Sequence, residues 1–132
     1  MPHADFVHLR VHTAFSLSEG AIKLKEMIKL TKANAMPAVA MTDSGNLFGA
    51  LEFSLAATDE GIQPILGVQL NVRREEKDDR GFGAQAGLRN PEPDPLVLLA
   101  QNETGYANLL KLVSKAYLET DGGETPQVSF DD

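Results

Sequence analysis

The 132-residue sequence contains no cysteine, which excludes a disulfide framework and any thiolate metal site. It has no basic N-terminal segment followed by an apolar run, and no apolar stretch approaching a membrane span. Basic residues are also scarce, with 12 Lys and Arg against 19 Asp and Glu and a net charge of −7. Proteins that grip a nucleic-acid backbone cluster Lys and Arg, so this segment is not expected to hold DNA directly. A nucleic-acid enzyme whose basic surface lies elsewhere in a longer chain stays open. A cytoplasmic protein with no membrane partner is the simplest expectation. What is present is an apolar content of 42%, in a length sufficient for one domain with a real core.

Two of the three histidines fall in His8-Leu9-Arg10-Val11-His12, just before the small, polar stretch Thr13–Gly20. On an alternating strand, His8, Arg10 and His12 share one face while Leu9 and Val11 point to the other. A His-X-His row at period two is how a strand end builds part of a metal site. Arg10 in the middle of the row is a permanent cation and ligates nothing.

Strand-like and helix-like segments alternate along the chain. Phe6–Val11 reads as a short strand. Ala21–Asn34 reads as a helix, with Leu24, Met27, Ile28 and Thr31 on one stripe and Lys23, Lys25, Lys29 and Lys32 on a solvated face. Pro37–Thr42 is apolar enough for a strand buried on both faces, and Asp43–Asn46 is a turn. A second helix is expected over Leu47–Glu60, stopped by Gly61, with strands at Pro64–Val72 and Leu96–Ala100. A third helix runs from Tyr106 to Leu118 with Asn102 or Thr104 as cap. Tyr106 and Tyr117, about three turns apart, are placed on one core stripe. Gln127–Phe130 is a further strand or a helix approach. The order β-α-β-α-β-loop-β-α is the pattern of an α/β protein with a parallel sheet or barrel.

Arg73–Asp94 opens with charge and continues through glycines and prolines, so residues 73–94 are expected to form a flexible loop or hairpin. A β/α barrel needs about eight units and roughly 250 residues. The chain holds about half of that. It reads as part of a larger chain, against the plainer alternative of a small complete open sheet. Half a barrel leaves strand edges and an apolar wall uncovered, which predicts self-association or partial disorder of the isolated segment.

The stretch His8-Leu-Arg-Val-His-Thr-Ala-Phe-Ser-Leu-Ser-Glu-Gly20 resembles the opening of the PHP (polymerase and histidinol phosphatase) domain. More narrowly, it is similar to the form at the N-terminus of the alpha subunit of bacterial replicative DNA polymerases. Four further blocks agree in order: Met36–Gly49, Gly61–Val68, Leu96–Leu109 and Leu112–Tyr117. The resemblance implies a distorted β/α barrel, with residues 1–132 as about its first half. It implies partners as well, namely the proofreading exonuclease subunit, the rest of the polymerase chain and the replicase. The polymerase active site, with its Mg, would lie far downstream.

Metal-binding members of the family hold two or three ions with His and carboxylates at strand ends and hydrolyse phosphate esters. By that resemblance the first motif, His-X-His, aligns with Arg10-Val11-His12, so a cation replaces one ligand. Glu19 keeps an acidic position. Asp43-Ser44 aligns with an Asp-His pair, and Gln69 stands where a bridging Glu is found. Pro95 occupies a position commonly held by His. Arg10, His12, Glu19, Asp43, Ser44 and Gln69 then outline a remnant cleft with no catalytic residue. His12, Glu19 and Asp43 are weak metal candidates that leave room for one residual ion. An ion-pair cluster of those three with Arg10 is the favoured reading, and no cofactor is assigned to the segment. Two functions follow: a catalytically silent scaffold that docks the exonuclease, or an active metal-dependent phosphoesterase or 3′-5′ exonuclease.

Overall fold

The structure, a computed structural model, describes residues 2–74 and 91–132. Helix α1 (Leu24–Ala33) forms where Leu24, Met27, Ile28 and Thr31 fall on one stripe, and all four are buried. The stripe packs on strand β1 (Ala38–Met41), whose four residues are all buried. It also meets helix α2 (Ala50–Asp59), which buries Ala50, Phe53 and Ala57. Gly61, at φ +73°, lies just beyond the end of α2 and leads into strand β2 (Gln63–Val72). Strand β3 (Asp94–Leu99) and helix α3 (Glu103–Leu118) follow, and the Asn102 side chain caps α3 by accepting from the Gly105 N–H at 2.9 Å.

The sheet order is β1-β2-β3. β1 and β2 run parallel, with Ala38 opposite Gln63 and Met41 opposite Leu66. β3 runs antiparallel to β2, from Val72 opposite Asp94 to Gly67 opposite Leu99. A wholly parallel sheet is thus corrected to a mixed one. The expectation for residues 73–94 concerns mainly 75–90, which lie outside the described residues. At its described ends, Arg74 donates twice to Asp94, at 3.0 and 2.6 Å.

Partner residues across a ladder share a face. Val39, Met41, Leu66, Val68, Leu70 and Val72 therefore project together, and the core forms there in three clusters. α1 and α2 supply Met27, Ile28 and Phe53 to the first, while α3 supplies Leu109 and Ala116 to the other two. The opposite face carries Ala40, Thr42, Gly67 and Gln69. Parallel pairing resumes beyond β1 as a bridge between Ser44 and Gln69, three residues on in both strands from the Met41–Leu66 pair. That register is what brings two distant polar residues side by side.

The Phe6–Val11 segment is extended but is not a regular strand. Ala40 N–H donates to His8 O and Thr42 N–H to Val11 O, each at 2.9 Å. Two residues of advance along β1 are matched by three on the N-terminal segment, so one extra residue breaks the ladder. The expected alternation breaks with it. His8 joins Val11, Leu30 and Val39 around an apolar pocket of 320 Å³, where the Phe6 ring meets it edge-on at 4.7 Å. Only Arg10 and His12 keep the shared face. Near the C-terminal end of the chain, the expected element at Gln127–Phe130 is reduced to one bridge, Val128 with Val72.

Candidate functional site

The site lies where β1 ends, beside the later part of β2, and the N-terminal segment runs along β1 and reaches Gln69 of β2 through its side chains. Gln69 is its pivot. Its side-chain oxygen accepts from Arg10 Nε at 3.0 Å and lies 3.2 Å from His12 Nε2. Arg is a donor only, so it holds the Gln69 amide with its oxygen turned inward. The other imidazole nitrogen, Nδ1, is 3.3 Å from Glu19 Oε2, and Glu19 in turn accepts from the Ser44 hydroxyl. The result is one chain of contacts, Arg10–Gln69–His12–Glu19–Ser44. His12 stands between two acceptors, a carboxylate and an amide oxygen. Both contacts are hydrogen bonds only when the ring is an imidazolium, a form with no lone pair for a metal.

Asp43 is elsewhere. Alternation turns its side chain away from that of Ser44, and it is wholly buried. Its carboxylate accepts from Thr13 N–H at 2.6 Å, Thr13 Oγ1 at 2.8 Å and Ser16 Oγ at 2.6 Å. Ser16 Oγ also accepts from the Ser44 N–H at 3.1 Å. Both oxygens of Asp43 are thereby used to fasten the Thr13–Gly20 stretch to the end of β1. Of the six residues that outlined the cleft in the sequence, five come together and Asp43 supports them from behind. Arg10 reaches an amide rather than a carboxylate. Pro95 is paired opposite Asn71 in β3.

Sequence reasoning misplaced Tyr117. It is 56% exposed, not part of a core stripe with Tyr106, which does pack against the first cluster. Tyr117 shares with Glu19, Ser44, Gly45, Gln69 and Asn71 the lining of a 170 Å³ cavity. The turn residue Gly45 (φ +65°) lets the tyrosine approach, since a Cβ there would lie 3.0 Å from its hydroxyl oxygen. The signal available was eleven-residue spacing, which fixes a helix face but not what that face meets. Thr13 and Ser16 were also missed as partners of Asp43, because hydroxyls in a small, polar stretch carry no pattern of their own.

A metal cluster asks this set for more than it offers. Its members facing one another are a guanidinium, an amide, a hydroxyl, one imidazole and one carboxylate. Among the described residues no three His, Asp or Glu side chains come together as a metal-holding group. The residues present do not fit a two- or three-ion centre.

A mixed β/α core with polar residues gathered at strand ends defines a class, and the match is direct: the chain belongs to the PHP domain family, whose model covers residues 8–132. Within it, the chain is similar to the N-terminal PHP region of DNA polymerase III alpha subunits. It is 48% identical over 118 residues to DNA polymerase III subunit alpha of Thermus aquaticus, covering 86% of this chain and 9% of that one. The Caulobacter vibrioides subunit is 48% identical over 122 residues (92% and 10%), and that of Rickettsia conorii 39% over 128 (97% and 10%). The chain thus spans about a tenth of the length of these relatives. An amidohydrolase from Chromobacterium violaceum, solved with sulfate and no metal, superposes with a TM-score of 0.54 at 22% identity over 83% of this chain and 34% of its own. A protein from Bifidobacterium adolescentis assigned as a metal-dependent phosphoesterase gives 0.51 at 16% identity, over 88% and 36%. These two likenesses bear out the fold, a partial PHP-type barrel. Among the described residues no helix is long and apolar enough to cross a membrane.

Proposed function

We propose that this chain is the N-terminal PHP portion of a DNA polymerase III alpha subunit, acting in DNA replication as a catalytically silent scaffold. Its metal site is degenerate. The observation that carries this reading is the contact chain through Gln69, in which an Arg and an amide occupy the ground where charged ligands would hold ions. Arg10 supplies fixed positive charge beside the imidazole, and Gln69 links the two without the bridging charge of a carboxylate. The cleft then joins the N-terminal segment, the Thr13–Gly20 stretch and the end of β1 into one unit instead of activating water.

The proofreading exonuclease subunit is the partner that fits this role, alongside the remaining polymerase chain and the replicase in the cytoplasm. DNA is held by other parts of the assembly, in keeping with the acidic balance of this segment. Mg belongs to the downstream polymerase centre. The test is hydrolysis of a generic phosphate ester by the purified chain with added manganese or zinc, together with capture of the exonuclease by the full alpha subunit. No turnover with retained capture is expected. Metal-dependent turnover would favour an active phosphoesterase instead.

A further inference from the structure

Leu17 kinks the short 3₁₀ helix Ala14–Glu19 with φ 50° and ψ −109°. This is the backbone of the first inner residue of a type II′ turn, a place glycine normally takes because a Cβ is strained there. The leucine gains no burial in exchange, since it is 85% exposed. Such strain persists only where the flanking structure imposes it, and here both flanks are fastened. Upstream, the Ser16 hydroxyl donates to Asp43 at 2.6 Å and the Ser16 N–H to Thr13 O at 2.9 Å. Downstream, Glu19 lies 3.3 Å from His12 Nδ1 and accepts from the Ser44 hydroxyl. Ala14 N–H, donating to Ile22 O at 2.9 Å, closes the base of the loop.

The two fastenings are unequal. Ser16 and Asp43 are buried, whereas the Glu19 side chain is 53% exposed. An exposed pair is screened by solvent and gives way first. We propose that Ser18 and Glu19 form a sprung lid hinged at Leu17. It exchanges between the closed position of this structure and an open one in which Leu17 returns to negative φ. Glu19 is the latch. Glu19 is also part of the wall of the 170 Å³ cavity, with Ser44, Gln69 and Tyr117. Its release opens that cavity and frees the His12 ring and the Ser44 hydroxyl. The inference rests on the geometry of the cleft and goes beyond the polymerase reading, which none of the outcomes below affects.

Hydrogen–deuterium exchange of the full-length protein tests hinge and latch separately, read by mass spectrometry and corrected for intrinsic rates. Leu17→Gly relieves the hinge and should slow exchange over Leu17–Gly20 about fivefold, although glycine loosens an ordinary loop. Leu17→Ala keeps the Cβ and should leave the rate unchanged. Glu19→Ala removes the latch and should speed exchange over Leu17–Gly20 about tenfold. Thr13–Ser16, held by Asp43, should then keep its rate. Leu17→Gly exchanging as fast as the unaltered protein, or faster, would overturn the inference. So would a Glu19→Ala change that speeds both stretches alike or neither.

Discussion

Asp43 accepts two hydrogen bonds from one residue, Thr13, from its backbone N–H at 2.6 Å and from its hydroxyl at 2.8 Å. Ser16 adds a third. A buried carboxylate satisfied in this way fixes the approach of the stretch that carries Glu19. Asp43→Ala leaves three donors unpartnered and is expected to cost about 2–4 kcal/mol. Chemical denaturation should show the loss, and the amide resonances of Thr13–Gly20 should shift most.

Gly20 is required for space rather than for backbone freedom. Its φ of −133° suits any residue, yet a Cβ there would sit 2.1 Å from Thr13 O and 2.7 Å from His12 O. Both obstacles are backbone and cannot swing aside. Gly20→Ala should destabilise the domain by about 1–3 kcal/mol, as overpacking does elsewhere, and should disturb His12 resonances. An unchanged melting temperature would contradict this close approach.

Much of this arrangement was legible in the sequence, and the parts that were not share a cause. The α1 stripe, the buried β1 strand and a cap at Asn102 or Thr104 follow from periodicity and local chemistry; the first two stand in the structure, and of the two caps it is Asn102 that serves. The direction of β3 and the break in the Phe6–Val11 ladder depend on pairing between distant segments, which no local pattern encodes. Gln69 and Ser44 were marked by family position. Their meeting comes from a parallel register that continues past the end of β1. Tyr117 was assigned to a core stripe and is instead exposed at the cleft, because a helix face predicts burial only once its neighbour is known.

Glu60 provides a pH test away from the cleft. The Lys32 ammonium donates to it at 2.6 Å and, with a further contribution from its charge, holds the carboxyl below its ordinary range. The folded value is the depressed one, so the stabilisation is present above the unfolded pKa and is lost as pH falls through the lowered folded value. Carboxyl NMR should find Glu60 titrating low, and Lys32→Ala should return its midpoint to the normal carboxylate range. The pair is exposed, so its share of stability is small and added salt should weaken it further.

Restoring charge and imidazole at three positions should reopen the cleft to metal. The variant carrying Arg10→His, Ser44→His and Gln69→Glu places two new imidazoles and a carboxylate beside His12 and Glu19. It is expected to retain at least one equivalent of zinc or manganese after desalting, measured by elemental analysis. The single Arg10→His change should do less, since Gln69 and Ser44 still withhold ligands. A triple variant that folds and binds no metal would show that the cleft has lost its geometry as well as its ligands.

The most direct measurement is equilibrium dialysis of the unaltered chain against manganese and zinc, with His12→Ala alongside. Substoichiometric binding that His12→Ala leaves unchanged is the predicted result, because His12 is engaged between Gln69 and Glu19 and has too few neighbours to complete a centre. Two or more tightly held equivalents that disappear with His12→Ala would contradict the degenerate site and return the domain to the metal-dependent phosphoesterases.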